Sequence, residues 1–266
     1  MATEAELLKA VLDDPDADAP RLAYADWCAQ QPDEPTIQRA EFIRARIALS
    51  KLAPPAQASG PSATQAALIL GYKSGEAQRQ HQATWAAAIA HIASSYRFDR
   101  GFIEYIALPA RAFLDHADAL FAQAPIRHLD LSGARPLLDE LFASPWLGQL
   151  RSLSLDDCAL EDADIHLLAA SPYLHDLRWL SLTHNQLHRA GAEVLATAQN
   201  VPKLAYVDFL GNLFEPNEQY SFDSGYVVDA GLPADGLLLE ALHGPIRWLH
   251  HAATSVSDAV PDRFRI

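Results

Sequence analysis

Cysteine is almost absent: Cys28 and Cys158 are the only two among 266 residues, far apart and without a CxxC partner. That argues against a disulfide framework or a thiolate metal cluster, and the expectation is two reduced, buried thiols in a cytoplasmic protein. Long apolar runs are missing, so no segment reads as crossing a bilayer and no membrane partner is expected. The start, Met1-Ala2-Thr3-Glu4-Ala5-Glu6, lacks the basic residues and apolar stretch of a secretory signal. Positive charge is scarce, with 20 Lys and Arg against 34 Asp and Glu, a formal net charge of −14. Such a surface repels phosphate backbones, which disfavours nucleic acid and favours basic or neutral partners. Also missing are GxSxG, a P-loop, GxGxxG, HExxH and zinc-type Cys/His spacing, so no cofactor is expected. What is present is a half-hydrophobic composition with an ordinary 20% of charged residues, enough for one or two globular cores.

The strongest positive signal is an internal repeat. Ile126-Arg-His-Leu129-Asp-Leu131, Leu150-Arg-Ser-Leu153-Ser-Leu155, Leu177-Arg-Trp-Leu180-Ser-Leu182 and Leu204-Ala-Tyr-Val207-Asp-Phe209 superimpose on L-x-x-L-x-L. Their central residues Leu129, Leu153, Leu180 and Val207 lie 24, 27 and 27 residues apart. The ninth position is Cys158, Asn185 and Asn212 in the last three segments, followed two residues later by Leu160, Leu187 and Phe214; the first has Ala134. A polar side chain is wanted there because the chain leaves its strand and turns inward, stranding backbone groups that need partners. This pattern resembles leucine-rich repeats. Between the strands the period becomes helical, through Leu137-Leu138 and Leu141-Phe142, then Ile165 and Leu167-Leu168, then Val194-Leu195. The stretch Leu187 to Ala196 resembles the helix of ribonuclease-inhibitor-like repeats. The expected fold class is α/β: a short solenoid of parallel strands and outer helices, preceded by an all-α N-terminal domain. Ile103 to Leu108 and Ile246-Arg-Trp-Leu249 read as degenerate end strands, since terminal repeats cap the core.

Residues 1–52 read as three helices, from Glu4 to Leu12, Pro20 to Gln30 and Thr36 to Leu52, with Asp18 as the cap ahead of Pro20. Asp14-Pro-Asp-Ala-Asp-Ala-Pro20-Arg21-Leu22-Ala-Tyr24-Ala-Asp26-Trp27, followed by Arg39-Ala-Glu-Phe42-Ile43-Arg44, resembles the bacterial repeat-companion domain, known from planctomycetes and often found ahead of leucine-rich repeats. The resemblance implies a fold but no catalytic role. Cys28 stands where a leucine is common, which points to packing. A linker at 53–64, rich in Pro, Ala and Ser, then leads to a helical cap at 65–96 whose Trp85, Ile89 and Ile92 cover the first strand segment. The repeats occupy 97–214, and 215–266 is irregular with a capping strand.

Candidate chemistry is thin. Asp14-x-Asp16-x-Asp18 suggests a calcium loop, but the sixth and twelfth positions hold Ala19 and Ala25 rather than Gly and Glu. His184 and His188 are four apart without a shared helix, and adjacent His250 and His251 would face opposite ways on a strand. The exposed sheet face is more informative. If the leucines point inward, one outward column reads His128, Ser152, Trp179, Tyr206 and Trp248, and the next Asp130, Ser154, Ser181, Asp208 and His250. Arg127, Arg151, Arg178 and Arg247 line up at the strand starts, interrupted by Ala205. Partner-binding residues are therefore expected at Arg151, Arg178, Trp179, Tyr206, Asp208, Trp248 and His250. Trp179 and Tyr206 would supply apolar contact, while Arg151 and Arg178 orient an acidic segment. In the plainer alternative, Asp156, Asp157 and Asp208 neutralise the arginines and the aromatics only stack.

The function expected is a non-catalytic scaffold holding a protein or peptide on its concave sheet, for example as accessory subunit of a neighbouring enzyme. Two alternatives stay open: an inhibitor or immunity protein against a basic enzyme, and a metalloenzyme built on His and Asp.

Overall fold

A computed structural model describes residues 2–52 and 61–213, the side chains of 61–67 excepted. The N-terminal helices are α1 (Glu4–Asp13), α2 (Asp18–Cys28), α3 (Glu34–Ser50) and α4 (Pro61–Trp85). Strands β1 (Ser95–Asp99) and β2 (Phe102–Pro109) come next, then α5 (Ala110–Gln123). Strands β3 (His128–Ser132), β4 (Ser152–Ser154), β5 (Trp179–Ser181) and β6 (Tyr206–Asp208) then alternate with α6 (Leu138–Phe142), α7 (Asp162–Ala170) and α8 (Arg189–Thr197). The chain is α/β, and its six described strands follow one another across one sheet in chain order. No described helix is long and apolar enough to cross a membrane. The 215–266 segment, with the expected capping strand, Trp248 and His250, lies outside the described residues, as do 53–60 of the linker. Two compact units form: Met1–Ile106 with His116–Ile126, and a second made of Ala107–Asp115 and the chain from Arg127.

In the first unit, α1 begins with a reciprocal cap between Thr3 and Glu6, and Asp33 accepts the Thr36 N–H at the head of α3. The predicted cap Asp18 is instead the first residue of α2, whose N-cap Ala17 makes no side-chain bond. Its carboxylate is drawn away to Lys51 at 2.8 Å and Arg100 at 3.4 Å, and Lys51 above all holds its pKa below the usual value. Helix α4 starts at Pro61, inside the predicted linker, because proline lacks the N–H that a first turn leaves unused.

The residues that carry the companion-domain resemblance are packing residues here. Tyr24, Ala25, Cys28, Ala40, Ile43 and Phe102 share one core. Tyr24 donates to Glu4 at 2.9 Å, Arg44 pairs with Asp26 at 2.7 Å, and the Arg39 guanidinium lies over the rings of Tyr24 and Phe102. Trp85 also packs inside this unit: it stacks on Phe42, meets Phe98 edge-on and donates to Pro35 O at 2.9 Å.

Strand β1 was not foreseen. It joins β2 through Arg100 (φ 43°) and Gly101 (φ 90°), and a two-residue loop with both residues left-handed returns the chain antiparallel. Gly101 is required twice over, since a Cβ there would lie 2.3 Å from Ile43 Cγ1.

The second unit repeats one local structure. Leu129 pairs in register with Leu153, Leu153 with Leu180 and Leu180 with Val207, all parallel. These four residues and Leu131, Leu155, Leu182 and Phe209 are 2% exposed or less. Burial of each such side chain contributes roughly 1.5–3 kcal/mol. Gly133, Asp157, His184 and Gly211 hold the same left-handed position after their strands, with φ between 51° and 74°.

At the ninth position Asn185 Oδ1 accepts from Cys158 N (3.1 Å) and Leu160 N (2.9 Å). Its Nδ2 donates to Leu155 O and Leu182 O, both at 2.9 Å. Asn212 likewise accepts from Leu187 N and donates to Leu182 O. Cys158 does half of this work, its thiol donating back to Leu131 O at 3.3 Å. Behind the sheet α7 packs between α6 and α8, and Asp162 accepts from His188 N and Gly191 N at the start of α8.

Both cysteines are free and buried, and burial pushes the Cys28 thiol up to about 11. Neither thiol is expected to react with a disulfide reagent at pH 8 until the protein unfolds, when both should titrate. Rapid labelling of the folded chain would contradict this packing.

Candidate partner-binding face

Register places the outward side chains of β3 to β6 in columns across the sheet, successive members about 4.8 Å apart. His128, Ser152, Trp179 and Tyr206 are successive partners, as are Asp130, Ser154, Ser181 and Asp208. The described part of the predicted constellation, Arg151, Arg178, Trp179, Tyr206 and Asp208, therefore meets on three neighbouring strands.

The first column changes from polar to aromatic. His128 Nδ1 is 2.9 Å from Ser152 Oγ, and His128 is 8% exposed. Trp179 and Tyr206 pack ring against ring, centroids 4.7 Å apart and planes tilted by 33°. Tyr206 is only 8% exposed, so it braces Trp179 more than it offers surface; Trp179 is half-buried.

The second column is acidic and tied down. Ser154 donates to Asp130 at 3.3 Å. Asp156 accepts from Ser181 Oγ at 2.6 Å and from Thr183 N at 2.8 Å. Asp208 accepts from Leu210 N at 3.0 Å, and burial raises its pKa, with the neighbouring Asp156 adding to the effect.

The arginines are arranged by their backbones. Arg127 O accepts from both Arg151 N and Ser152 N, Arg151 O from Arg178 N and Trp179 N, and Arg178 O from Ala205 N and Tyr206 N. Asp156, Asp157 and Asp208 lie toward the other ends of the strands from these arginines. Arg127 is buried and donates to Gln149 O at 2.7 Å. Arg151 lies beside Asp176, which Lys203 also pairs with. Arg178 is exposed.

Asp176 and Lys203 were missed because they precede their strands. Both sit one residue before the repeat's first leucine, as Gln149 does, so extending the alignment backwards by one position would have exposed them.

The histidine pair separates. The His184 ring lies against Gly211, while His188 Nδ1 is 3.5 Å from Asp162. Among the described residues no three His, Cys, Asp or Glu side chains converge as a metal site would need. No protein-family model matches the chain, and no curated protein is significantly similar to it.

Proposed function

We propose that this chain is a leucine-rich-repeat scaffold with a repeat-companion domain at its N-terminus, and that it binds a protein or peptide on the face formed by β3 to β6. Support for the repeat reading comes from parallel strands in the predicted register and from asparagines bonded across to the neighbouring segment. The binding reading is carried by one observation: a tilted, closely packed Trp179–Tyr206 ring pair beside an exposed Arg178, on strands that fix its position. Rigid aromatic anchors next to arginine are what interface hot spots are made of, and ordering them was done when the chain folded.

The test needs the partner recovered from the native host. Trp179→Ala is expected to weaken its binding by about 2 kcal/mol, roughly thirtyfold, with little change in the melting temperature. Full affinity in a folded Trp179→Ala, Arg178→Ala protein would end this reading.

A further inference from the structure

Arg127, Arg151 and Arg178 stand at the starts of β3, β4 and β5, and each faces the segment that leads into the next strand. Arg127 meets the Gln149 carbonyl there at 2.7 Å. Arg151 has the Asp176 carboxylate within electrostatic reach, and Lys203 pairs with that carboxylate directly. Lys203 stands 27 residues after Asp176, in the equivalent place for Arg178. The position that sets a carboxylate near Arg151 thus holds an ammonium in the place equivalent for Arg178. Among the described residues Arg178 has no ion pair and no side-chain hydrogen bond, and it is exposed. In a chain of net charge −14, this corner is a local cation with an ammonium where Arg151 has a carboxylate.

We infer that the Arg178–Lys203 corner takes a side-chain carboxylate of an extended acidic, aromatic peptide segment, whose ring rests on Trp179. The inference deepens the binding role proposed for the same face and rests on it. A guanidinium presents paired donors that match a carboxylate, and the register places the indole next to them. A long polyanion does not fit, because it would also run over Asp130, Asp156 and Asp208. A single carboxylate seated on Arg178 is governed by charges within about 8 Å, the screening length at physiological salt.

Lys203→Asp tests this without touching Arg178, because it puts beside Arg178 a carboxylate like the one near Arg151. Three fluorescein-labelled short peptides, alternating Phe with Glu, Gln or Lys, would be titrated against the full chain by fluorescence anisotropy. The Glu peptide is expected to bind at least about tenfold more tightly than the Gln peptide, and the margin should shrink in high salt. Lys203→Asp and Arg178→Ala should each abolish that margin while leaving the Gln peptide's affinity and the melting temperature nearly unchanged. Trp179→Ala should weaken the Glu and Gln peptides alike.

If Trp179→Ala weakens both but Lys203→Asp leaves the Glu margin intact, the carboxylate assignment is wrong and the binding face stands. A preference for the Lys peptide also overturns the assignment. If none of the peptides binds, or Trp179→Ala changes nothing, the reading of the face itself fails.

Discussion

Asn185→Ala is expected to destabilise the second unit by about 4 kcal/mol, well above the roughly 1 kcal/mol of an average substitution. The side chain holds two backbone N–H groups, of Cys158 and Leu160, and the carbonyls of Leu155, Leu182 and Thr183. It is 5% exposed, so most of these groups have no water to turn to. Each buried group left without a partner costs about 1–3 kcal/mol, and the costs overlap because the loop can relax. Asn212→Ala should cost roughly half as much, since that side chain is less buried and makes fewer bonds, to Leu187 N, Leu182 O and Phe209 O. Asn185→Asp should be no rescue: it keeps the acceptor, loses both donors and buries a charge. Urea unfolding gives the magnitudes, and hydrogen exchange at the Cys158 and Leu160 amides gives the location. A loss under about 1 kcal/mol with those amides still protected would show that the ladder is dispensable.

This asparagine was legible in the sequence because the repeat tests itself. A leucine spacing that holds over several segments sets which side chains face inward, and an Asn two residues before the next apolar position has one buried job there. The same logic places Trp179 beside Tyr206, since a register fixed by Leu180 and Val207 leaves no other pairing. Exposure was not legible. Nothing in the spacing says that Tyr206 is nearly covered while Arg178 is bare.

Strand β1 escaped notice because Ser95-Tyr-Arg-Phe-Asp is short and polar at alternate positions, and because its turn is Arg-Gly rather than Asn-Gly. The aspartates at 14–18 read as caps because caps are local. The partners of the Asp18 carboxylate, Lys51 and Arg100, belong to segments that only folding brings near, and Arg100 also donates to the Asp16 carbonyl. Local chemistry was readable from local sequence, and ion pairs across the fold were not.

Arg21→Met is expected to destabilise the first unit by about 4 kcal/mol at pH 7, for the same reason of buried polarity but with a charge at stake. Arg21 is 0% exposed, and its Nη2 lies 2.7 Å from Glu104 Oε1. The guanidinium also donates to the carbonyls of Pro15, Asp99 and Arg100 and sits over the Phe102 ring. Burial pushes Glu104 up to about 7, against the pull of Arg21 and, more weakly, Arg100. A carboxyl raised in the folded state above its unfolded value binds its proton more tightly when folded. Its stabilising contribution is therefore complete below about pH 4.5 and is lost as the pH rises through about 7. Without Arg21 the carboxyl should titrate higher still, so the fall of stability with pH should extend further toward alkaline pH in Arg21→Met than in the natural chain. Arg21→Met combined with Glu104→Leu removes both charges, and should recover the charge-dependent part while retaining the cost of the Asp99 and Arg100 carbonyls that lose this donor; Pro15 O keeps Arg100. The double variant should then show little of this pH dependence. If it is as unstable as Arg21→Met and keeps the same pH profile, the buried pair is not what joins α2 to the β1–β2 hairpin, and the packing of Phe102 against Tyr24 and Ile43 must hold them together.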